Sequence, residues 1–353
     1  MQGTDRHAVV VRPHGPEARP TGRPLPFGAG VPRATVHKRA ATEVFLTDAV
    51  QTADGRFTVA VRWPREHDLY RPGPRGDEDP LLWIETVRQA GIHLSHRFYG
   101  VPMDHPFVLV GLTFAVDPAT APRRDARPVP VALDVVVRRE AQNARRMAAS
   151  AEAVVLAGGR AMGRVGLRWQ AVDPARYEVL RARNSPPKPI GTVPGDTDAT
   201  PLTARTVGRA RERDVVLAAT RDDDTWMLRL DTGHPVLFDH ATDHIPGMVL
   251  LEALRQAAVV GTARRTGPAT THATDRAPRT PLLRSGTVVF EAFGELDAPA
   301  TVTARARSGP ATADGGPALS VSAVQGGRTL ARAELLCGPA SRRMRDGAAG
   351  ARR

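Results

Sequence analysis

Two stretches of the chain place apolar residues on nearly every side of a helix, and both contain Glu-x-x-Arg-Gln-Ala. The first is DPLLWIETVRQAG at residues 79–91, and the second is PGMVLLEALRQAA at residues 246–258. A helix that is apolar almost all round is normally buried, where charged side chains are costly unless they are paired or used. Proline is tolerated in a first helical turn and Asp79 is a suitable cap. A helix of about four turns is therefore predicted from each proline.

Strand-like runs surround each helix in the same order. EVFLT and RFTVAVRW precede the first helix, DVVLA and TWMLRL precede the second, and four further apolar runs follow each one. Gly-Gly pairs at 158–159 and 326–327 lie between the last two runs, where a tight hairpin turn needs positive φ angles. A long apolar helix followed by an antiparallel meander indicates an α+β fold, with a sheet curved around one central helix in each half.

The chain is an internal duplication, because the same residues recur at a nearly constant spacing. The helix motif recurs after 252 − 85 = 167 residues, and a histidine precedes each glutamate by 18 residues. Two domains are therefore predicted, at residues 34–172 and 204–338. The matched positions are Glu85 and Glu252, Arg88 and Arg255, Gln89 and Gln256, and His67 and His234.

Three segments outside these domains are poor in apolar residues. Residues 1–33 are predicted to be a disordered N-terminal tail, and residues 339–353 a disordered Arg-rich tail. Residues 173–203 contain RNSPPKPIGTVPGDTDATP and are predicted to be a Pro-rich linker between the domains.

The formal net charge of the 353 residues is +12, but the arginines that supply it are dispersed. Nucleic-acid binding is therefore not expected, since it needs clustered basic residues, often with aromatics, and aromatics are only 5% of the chain. A positive surface would suit an acidic carrier protein or a phosphate-bearing substrate. No apolar run reaches the roughly 18 residues of a membrane span, and no signal peptide is evident. A cytoplasmic protein without a membrane partner is expected.

The Glu-Arg pairs of the helices have two interpretations. As i, i+3 neighbours they would be local salt bridges worth only about 0.2–0.5 kcal/mol. Within apolar helices they are better explained by a polar pocket, and we expect both pairs to be functional.

The loop before the second helix contains His234, Asp239, His240, Asp243 and His244. His240 and His244 have i, i+4 spacing, but Pro-Gly follows at once, so no metal site is predicted. A histidine close to the glutamate would orient or protonate substrate, although an ordinary hydrogen-bonded loop histidine is the alternative. No nucleophile elbow, phosphate loop or dinucleotide fingerprint occurs, so no cofactor is predicted. Acyl chemistry here would need a general base and helix N-terminal N–H groups.

The segment HIPGMVLLEALRQA resembles the central-helix motif of hotdog-fold dehydratases, in which Pro-Gly opens the helix and a glutamate follows. His240 lies two residues nearer the glutamate than the dehydratase histidine, and Arg255 is not part of that pattern. A closer resemblance is to the γ-butyrolactone (A-factor) biosynthesis family of actinobacteria, over about residues 34–338. It is carried by VHKRAATEVFLTD, DPLLWIETVRQAGI and HPVLFDHATDHIPGMVLLEALRQAA.

This resemblance implies a tandem double hotdog fold and the condensation of a β-ketoacyl thioester with dihydroxyacetone phosphate to a β-ketoacyl ester. Glu252 would deprotonate the hydroxyl, the amides near Gly247 would polarise the carbonyl, and Arg255 or Arg88 would bind the phosphate. Glu85 would be a counterpart base or a structural partner. The remaining candidates are His240 for proton transfer, and Gln256, Gln89, His234 and His244 for substrate binding.

Several alternatives remain open at this stage. The thioester would be carried by coenzyme A or by an acyl carrier protein. A hotdog dehydratase or thioesterase, or a ligand-binding protein without catalysis, would share the same fold. The Pro-Gly start favours the second helix over the first as the catalytic one. Hotdog domains pair, so a monomeric pseudo-dimer or a homodimer is expected.

Overall fold

A computed structural model gives the architecture of most of the chain. It describes residues 28–64, 66–71, 78–117, 130–184, 199–266, 281–307 and 317–338. The tail predicted at 339–353, and most of the tail predicted at 1–33, lie outside these ranges. The described part of the first tail packs against the fold. The Val31 side chain is buried, and the Val31 N–H donates to the Leu46 carbonyl oxygen.

The two halves contain the same elements in the same order. The first half consists of β1 Leu46–Ala53, β2 Arg56–Arg62, α1 Pro80–Tyr99, β3 Phe107–Val116, β4 Pro130–Asn143, β5 Arg146–Ala157 and β6 Arg160–Val172. After a connecting helix, α2 Pro174–Asn184, the second half consists of β7 Leu217–Ala219, β8 Thr225–Leu228, α3 Gly247–Thr266, β9 Leu282–Phe290, β10 Ala300–Ala306, β11 Ala318–Gln325 and β12 Arg328–Gly338.

Both central helices start where the sequence predicts and run for 20 residues, longer than the predicted four turns. The Asp79 side chain accepts a hydrogen bond from the Leu81 N–H at 2.9 Å and so caps α1, as predicted. Gly100 ends α1 in the left-handed conformation at φ 65°. Within the described residues, no helix is long and apolar enough to cross a membrane.

The twelve strands of the described ranges form one sheet, in the order β1-β2-β4-β5-β6-β3-β9-β12-β11-β10-β8-β7. This order reads as two equivalent halves joined edge to edge by the antiparallel pair β3–β9, in which Leu112 is opposite Val288. The predicted Gly-Gly hairpins have φ angles of 56° and 77° in the first half, and 57° and 75° in the second. The predicted α+β double hotdog is confirmed, and the joined sheet makes the two halves a pseudo-dimer within one chain.

The first part of the predicted Pro-rich linker is helical. Residues 174–184 form helix α2, and residues 185–198 of the predicted linker lie outside the described ranges. Arg181 anchors α2 to the second half through two hydrogen bonds to the Glu295 carboxylate, at 2.7 and 2.9 Å. This long-range ion pair stabilises a helix that has little apolar surface of its own.

Gly111 tests the joint between the halves, because a Cβ atom there would lie 2.9 Å from the Val288 carbonyl oxygen. We expect Gly111→Val to lower the free energy of unfolding by about 1–3 kcal/mol, the usual cost of overpacking, in urea denaturation. Gly28→Ala is the control, since a Cβ atom there meets nothing within 4 Å. Equal stability of the two variants would show that the β3–β9 pair is not a tight joint.

Candidate functional site

Glu85 of α1 is completely buried and accepts hydrogen bonds from three side chains. The Lys38 ammonium lies 3.1 Å from Oε1, and the Arg88 guanidinium donates to both oxygens at 2.7 and 2.9 Å. Gln89 donates to Oε1 at 2.9 Å and accepts from the Phe45 N–H of the preceding segment. Burial alone would raise the pKa of Glu85, but the charges of Arg88 and Lys38 hold it well below its usual value, so the carboxylate is ionised.

Glu252 of α3 has the equivalent environment in the second half. Arg255 donates to its two oxygens at 3.1 and 3.0 Å, Gln256 donates at 2.5 Å, and Arg209 donates to both oxygens. Burial acts to raise the pKa of Glu252, but Arg209 and Arg255 outweigh it and lower the pKa to about 2. Arg209 therefore takes the place of Lys38.

His234 stabilises its own loop rather than facing an open site. Its Nδ1 accepts the backbone N–H groups of Val236 and Leu237 at 3.2 and 3.1 Å, so the proton is assigned to Nε2, which donates to Asp214 at 3.1 Å. The ring is 2% exposed. His67 makes the same three interactions in the first half. The spacing of these histidines from the helix motifs thus reflects a repeated structural feature, and His234, predicted to contact substrate, does not line the cavity described below.

A cavity of about 360 Å³ opens at the boundary of the two halves, beside the N-terminus of α3. Its volume falls in the range of small-molecule sites. The apolar lining includes Phe107, Leu109, Leu180, Val236, Leu237, Ile245, Met248, Leu250 and Phe290. The polar lining includes Lys38, Arg88, Asp239, His240, Thr242 and His244. The site is composite, since both cations come from the first half, whereas His240 and the helix N-terminus come from the second.

Asp239 fixes the loop of the second half against the first half. Its carboxylate accepts the backbone N–H groups of Arg39 and Ala40 at 2.7 and 3.0 Å, directly after Lys38 in the chain. The ring of the adjacent His240 is exposed at the cavity mouth and makes no hydrogen bond within the described ranges. Partial desolvation, with the charges of Arg88 and Lys38, lowers the pKa of His240 despite the opposing effect of Asp239. At neutral pH this imidazole is therefore uncharged and able to accept a proton.

The connecting helix α2 closes one side of the cavity. Leu180 contributes to the lining, and Arg181 donates to the Asp243 carboxylate at 3.1 Å and to the Asp243 carbonyl at 2.6 Å. The Tyr177 hydroxyl lies 2.8 Å from Asp243 Oδ1 and 3.1 Å from His244 Nδ1. His244 is thus engaged with Tyr177 and Asp243, whereas His240, four residues earlier, faces the cavity free.

The two halves differ at the helix N-terminus. Asp79 in the first half corresponds to Pro246 in the second, because 246 − 79 is again 167. Arg209 Nη1 donates to Asp79 Oδ2 at 2.6 Å and to the Leu69 carbonyl oxygen at 3.0 Å, and its side chain is 4% exposed. The network around Glu252 is therefore completed by the protein itself, because Asp79 gives Arg209 a second anion. Pro246 gives no such anion to Lys38, which belongs to the network around Glu85.

The structure separates the predicted site residues into two groups. Arg88, His240, His244 and Gly247 line the cavity, with Glu85 and Gln89 directly behind them. Glu252, Arg255, Gln256 and His234 do not line it. Sequence reasoning missed Lys38 and Asp239. Lys38 carried a signal, as one of two lysines in an arginine-rich chain.

Metal binding has no support in the described part of the chain. No group of three or more His, Cys, Asp or Glu residues there is arranged to hold a metal ion. The cavity instead combines an imidazole, two cations and the N-terminus of α3, a set suited to proton transfer and to binding anionic or carbonyl oxygens.

The model of the A-factor biosynthesis hotdog domain matches residues 21–173 and again residues 192–341. A 2-oxo-3-(phosphooxy)propyl 3-oxoalkanoate synthase of Streptomyces virginiae is 41% identical over 229 residues, 65% of this chain and 76% of that protein. A protein of the same name from Streptomyces coelicolor is 33% identical over 299 residues, 80% of this chain and 83% of the relative. A solved hotdog-fold protein of unknown function from Alicyclobacillus acidocaldarius has a TM-score of 0.46 and 13% identity, covering 86% of this chain and 99% of its own.

The lowered pKa of Glu252 predicts a specific acid sensitivity. Its ordinary value is 4.5 and its folded value about 2, so the stability it contributes is complete above pH 4.5 and is lost as the pH falls towards 2. We expect Glu252→Gln to be less stable than the wild type at pH 7 by about 3–5 kcal/mol, because two buried arginines lose their counter-charge. Urea denaturation between pH 7 and 2.5 should show this difference shrinking below pH 4.5.

Glu140→Gln is the control, because this carboxylate is 45% exposed and 3.6 Å from its arginine partner. Its stability should follow the wild type at every pH. A deficit in Glu252→Gln that stayed constant down to pH 2.5 would contradict the depressed pKa.

Proposed function

Because the chain belongs to the A-factor biosynthesis hotdog family, we propose that it transfers a 3-oxoacyl group from a thioester to the hydroxyl of dihydroxyacetone phosphate. The product would be a 2-oxo-3-(phosphooxy)propyl 3-oxoalkanoate, the ester named for its curated relatives. The observation that carries the proposal is the composite cavity. It joins an apolar chamber to a polar end containing a neutral imidazole, two cations and an open helix N-terminus.

His240 is the general base in this mechanism. Its neutral ring takes the hydroxyl proton of dihydroxyacetone phosphate while that oxygen attacks the thioester carbonyl carbon. The tetrahedral adduct collapses, the carbon–sulfur bond breaks, and the proton returns to the departing thiolate. The reaction forms one ester and one thiol, with no change of oxidation state and no requirement for a cofactor.

The N-terminus of α3 stabilises the developing oxyanion. The first N–H groups of a helix have no intrahelical acceptor, and the helix dipole favours negative charge there. Gly247 lines the cavity at this point, and in the proposed mechanism its N–H donates to the carbonyl oxygen. The apolar residues around it hold the acyl chain.

Glu85 acts as a positioning residue rather than as the base. It is fully buried, ionised and already hydrogen-bonded to Lys38, Arg88 and Gln89, so it lacks both access to substrate and a suitable pKa. Its role is to hold the two cations at the cavity wall. Glu252 is equally enclosed, so the base role expected for it passes to His240.

A product assay tests the function. The purified protein would be incubated with a 3-oxoacyl thioester, with and without dihydroxyacetone phosphate, and the products identified by mass. We expect the phosphorylated ester only when both substrates are present. Free acid released at the same rate without dihydroxyacetone phosphate would indicate a thioesterase. No turnover, with the thioester bound, would indicate a ligand-binding protein.

His240 provides the sharpest test of the mechanism. We expect His240→Gln to lower kcat/KM by about 10²–10⁴-fold, the usual contribution of a general base. The acid limb of the wild-type pH–rate profile should lie below pH 6.5, because protonation blocks the base and the folded pKa of His240 is lowered. The melting temperature should not change, since the ring makes no hydrogen bond among the described residues. A fully active variant with an unchanged acid limb would exclude His240.

A further inference from the structure

We propose that the phosphate of the acceptor substrate binds between the Lys38 ammonium and the first amides of α3, where the Asp79 carboxylate lies in the other half. The inference rests on the proposed function for the identity of the substrate. Here the closed half means the cluster of Glu252, Arg255, Arg209 and Asp79, and the open half means the equivalent cluster of Glu85, Arg88, Lys38 and Pro246. The internal duplication gives the position of the phosphate, because the closed half shows how this arrangement holds an anion.

In the closed half, Asp79 is the bound anion. One carboxylate oxygen accepts from the Leu81 N–H of α1 at 2.9 Å, and the other accepts from Arg209 at 2.6 Å. Arg209 is at the same time bound to Glu252. The carboxylate is thus held by a helix N-terminus and by a cation that the helix glutamate fixes in place. Both contacts are buried, since Asp79 and Arg209 side chains are 7% and 4% exposed.

The open half has the same holding groups but no anion of its own. The residue equivalent to Leu81 is Met248, since 81 + 167 = 248, and the residue equivalent to Arg209 is Lys38. Pro246, at the position of Asp79, has no side-chain oxygen. Lys38 and Met248 both line the cavity, so an incoming anion can reach them.

The ion pairs around the two helix glutamates differ by one anion. Arg209, Arg255, Glu252 and Asp79 sum to zero in the closed half, whereas Lys38, Arg88 and Glu85 sum to +1 in the open half. The Lys38 side chain is 5% exposed, and within the described ranges its ammonium pairs only with Glu85, which leaves N–H donors unused. Two more carboxylates line the cavity, but Asp239 accepts backbone N–H groups at both oxygens and Glu291 pairs with Arg332 at 2.7 Å.

A phosphate monoester fits these groups better than a carboxylate. Its additional oxygens can accept from the Lys38 ammonium, the Met248 N–H and the adjacent Arg88 guanidinium together, and helix N-termini are common phosphate sites. With the phosphate there, the Gly247 N–H remains for the thioester carbonyl. Lys38 and Met248 are therefore specificity-determining residues for a phosphorylated acceptor over the free triose.

Pro246→Asp tests the subsite by giving the open half the carboxylate of the closed half. Titration calorimetry with glycerol 3-phosphate, an unreactive monoester of the same carbon number, would measure binding to the full chain. We expect Pro246→Asp to weaken binding by more than about tenfold, because its carboxylate occupies the site and repels the ligand. Pro246→Ala, which has neither a charge nor a side-chain oxygen to cap the Met248 N–H, should stay within about threefold of the wild type. Glycerol should not bind any of the three.

Lys38→Met gives an independent measurement if the Asp variant does not fold. We expect it also to weaken glycerol 3-phosphate binding and, in turnover, to raise the KM for dihydroxyacetone phosphate more than the KM for the thioester. The same binding measurement with coenzyme A, with and without its 3′-phosphate, tests whether the subsite binds a phosphate of the thioester carrier instead. A Pro246→Asp effect confined to coenzyme A would overturn the assignment to the acceptor.

The subsite and the proposed function fail in different ways. Equal binding of glycerol 3-phosphate to the wild type, Pro246→Asp and Lys38→Met would overturn the subsite, even if the ester is formed. Binding that both substitutions weaken, in a protein that forms no ester from either substrate mixture, would support the subsite and overturn the proposed function.

Discussion

The structure depends on a carboxylate buried in the middle of each central helix. Glu85 and Glu252 are fully buried, and each is neutralised by two cations and hydrogen-bonded to a glutamine that also binds the backbone beside the first strand. Breaking a buried network of this kind by removing one partner typically costs about 3–5 kcal/mol. The same interaction therefore fixes the helix, the segment before the sheet and the first strand relative to one another. Any function of the cations is built on that structural role.

Duplication made two such networks, and a single position at the helix N-terminus distinguishes them. Asp79 gives the first helix a cap and Arg209 a second anion, which completes the network of the second half within the protein. Pro246 brings no such anion, so among the described residues Lys38 pairs only with Glu85, and the first turn of α3 lines the cavity. The preference for the second helix as the catalytic one stays a prediction. Its N-terminus and its loop build the cavity, but the cations come from the first half.

Local sequence signals predicted much of the fold, because they have local causes. Helical periodicity, the capping Asp79 and the Gly-Gly turns each act within a few residues, and the duplication supplied an independent check of the strand order. Helix α2 was not predicted, because its stability comes from the ion pair of Arg181 with Glu295, which are 114 residues apart. The accessibility of the helix glutamates to substrate could not be predicted, for the same reason. It is decided by Lys38 and Arg209, 47 and 43 residues earlier in the chain, and sequence spacing does not record such contacts.

Fusion of the two halves explains how this asymmetry can exist. Two identical domains that pair by symmetry must carry the same residue at both helix N-termini, so both positions would be open or both closed. In a fused chain one position can be closed by internal ion pairs, while at the other the Lys38 ammonium, paired with Glu85, still has N–H donors for a ligand. Unsatisfied buried groups are costly and cluster at functional sites. The closed network, in which Arg209 and Arg255 are paired with Glu252 and Asp79, supplies a rigid framework against which Lys38 and Arg88 can be kept ready for an anion.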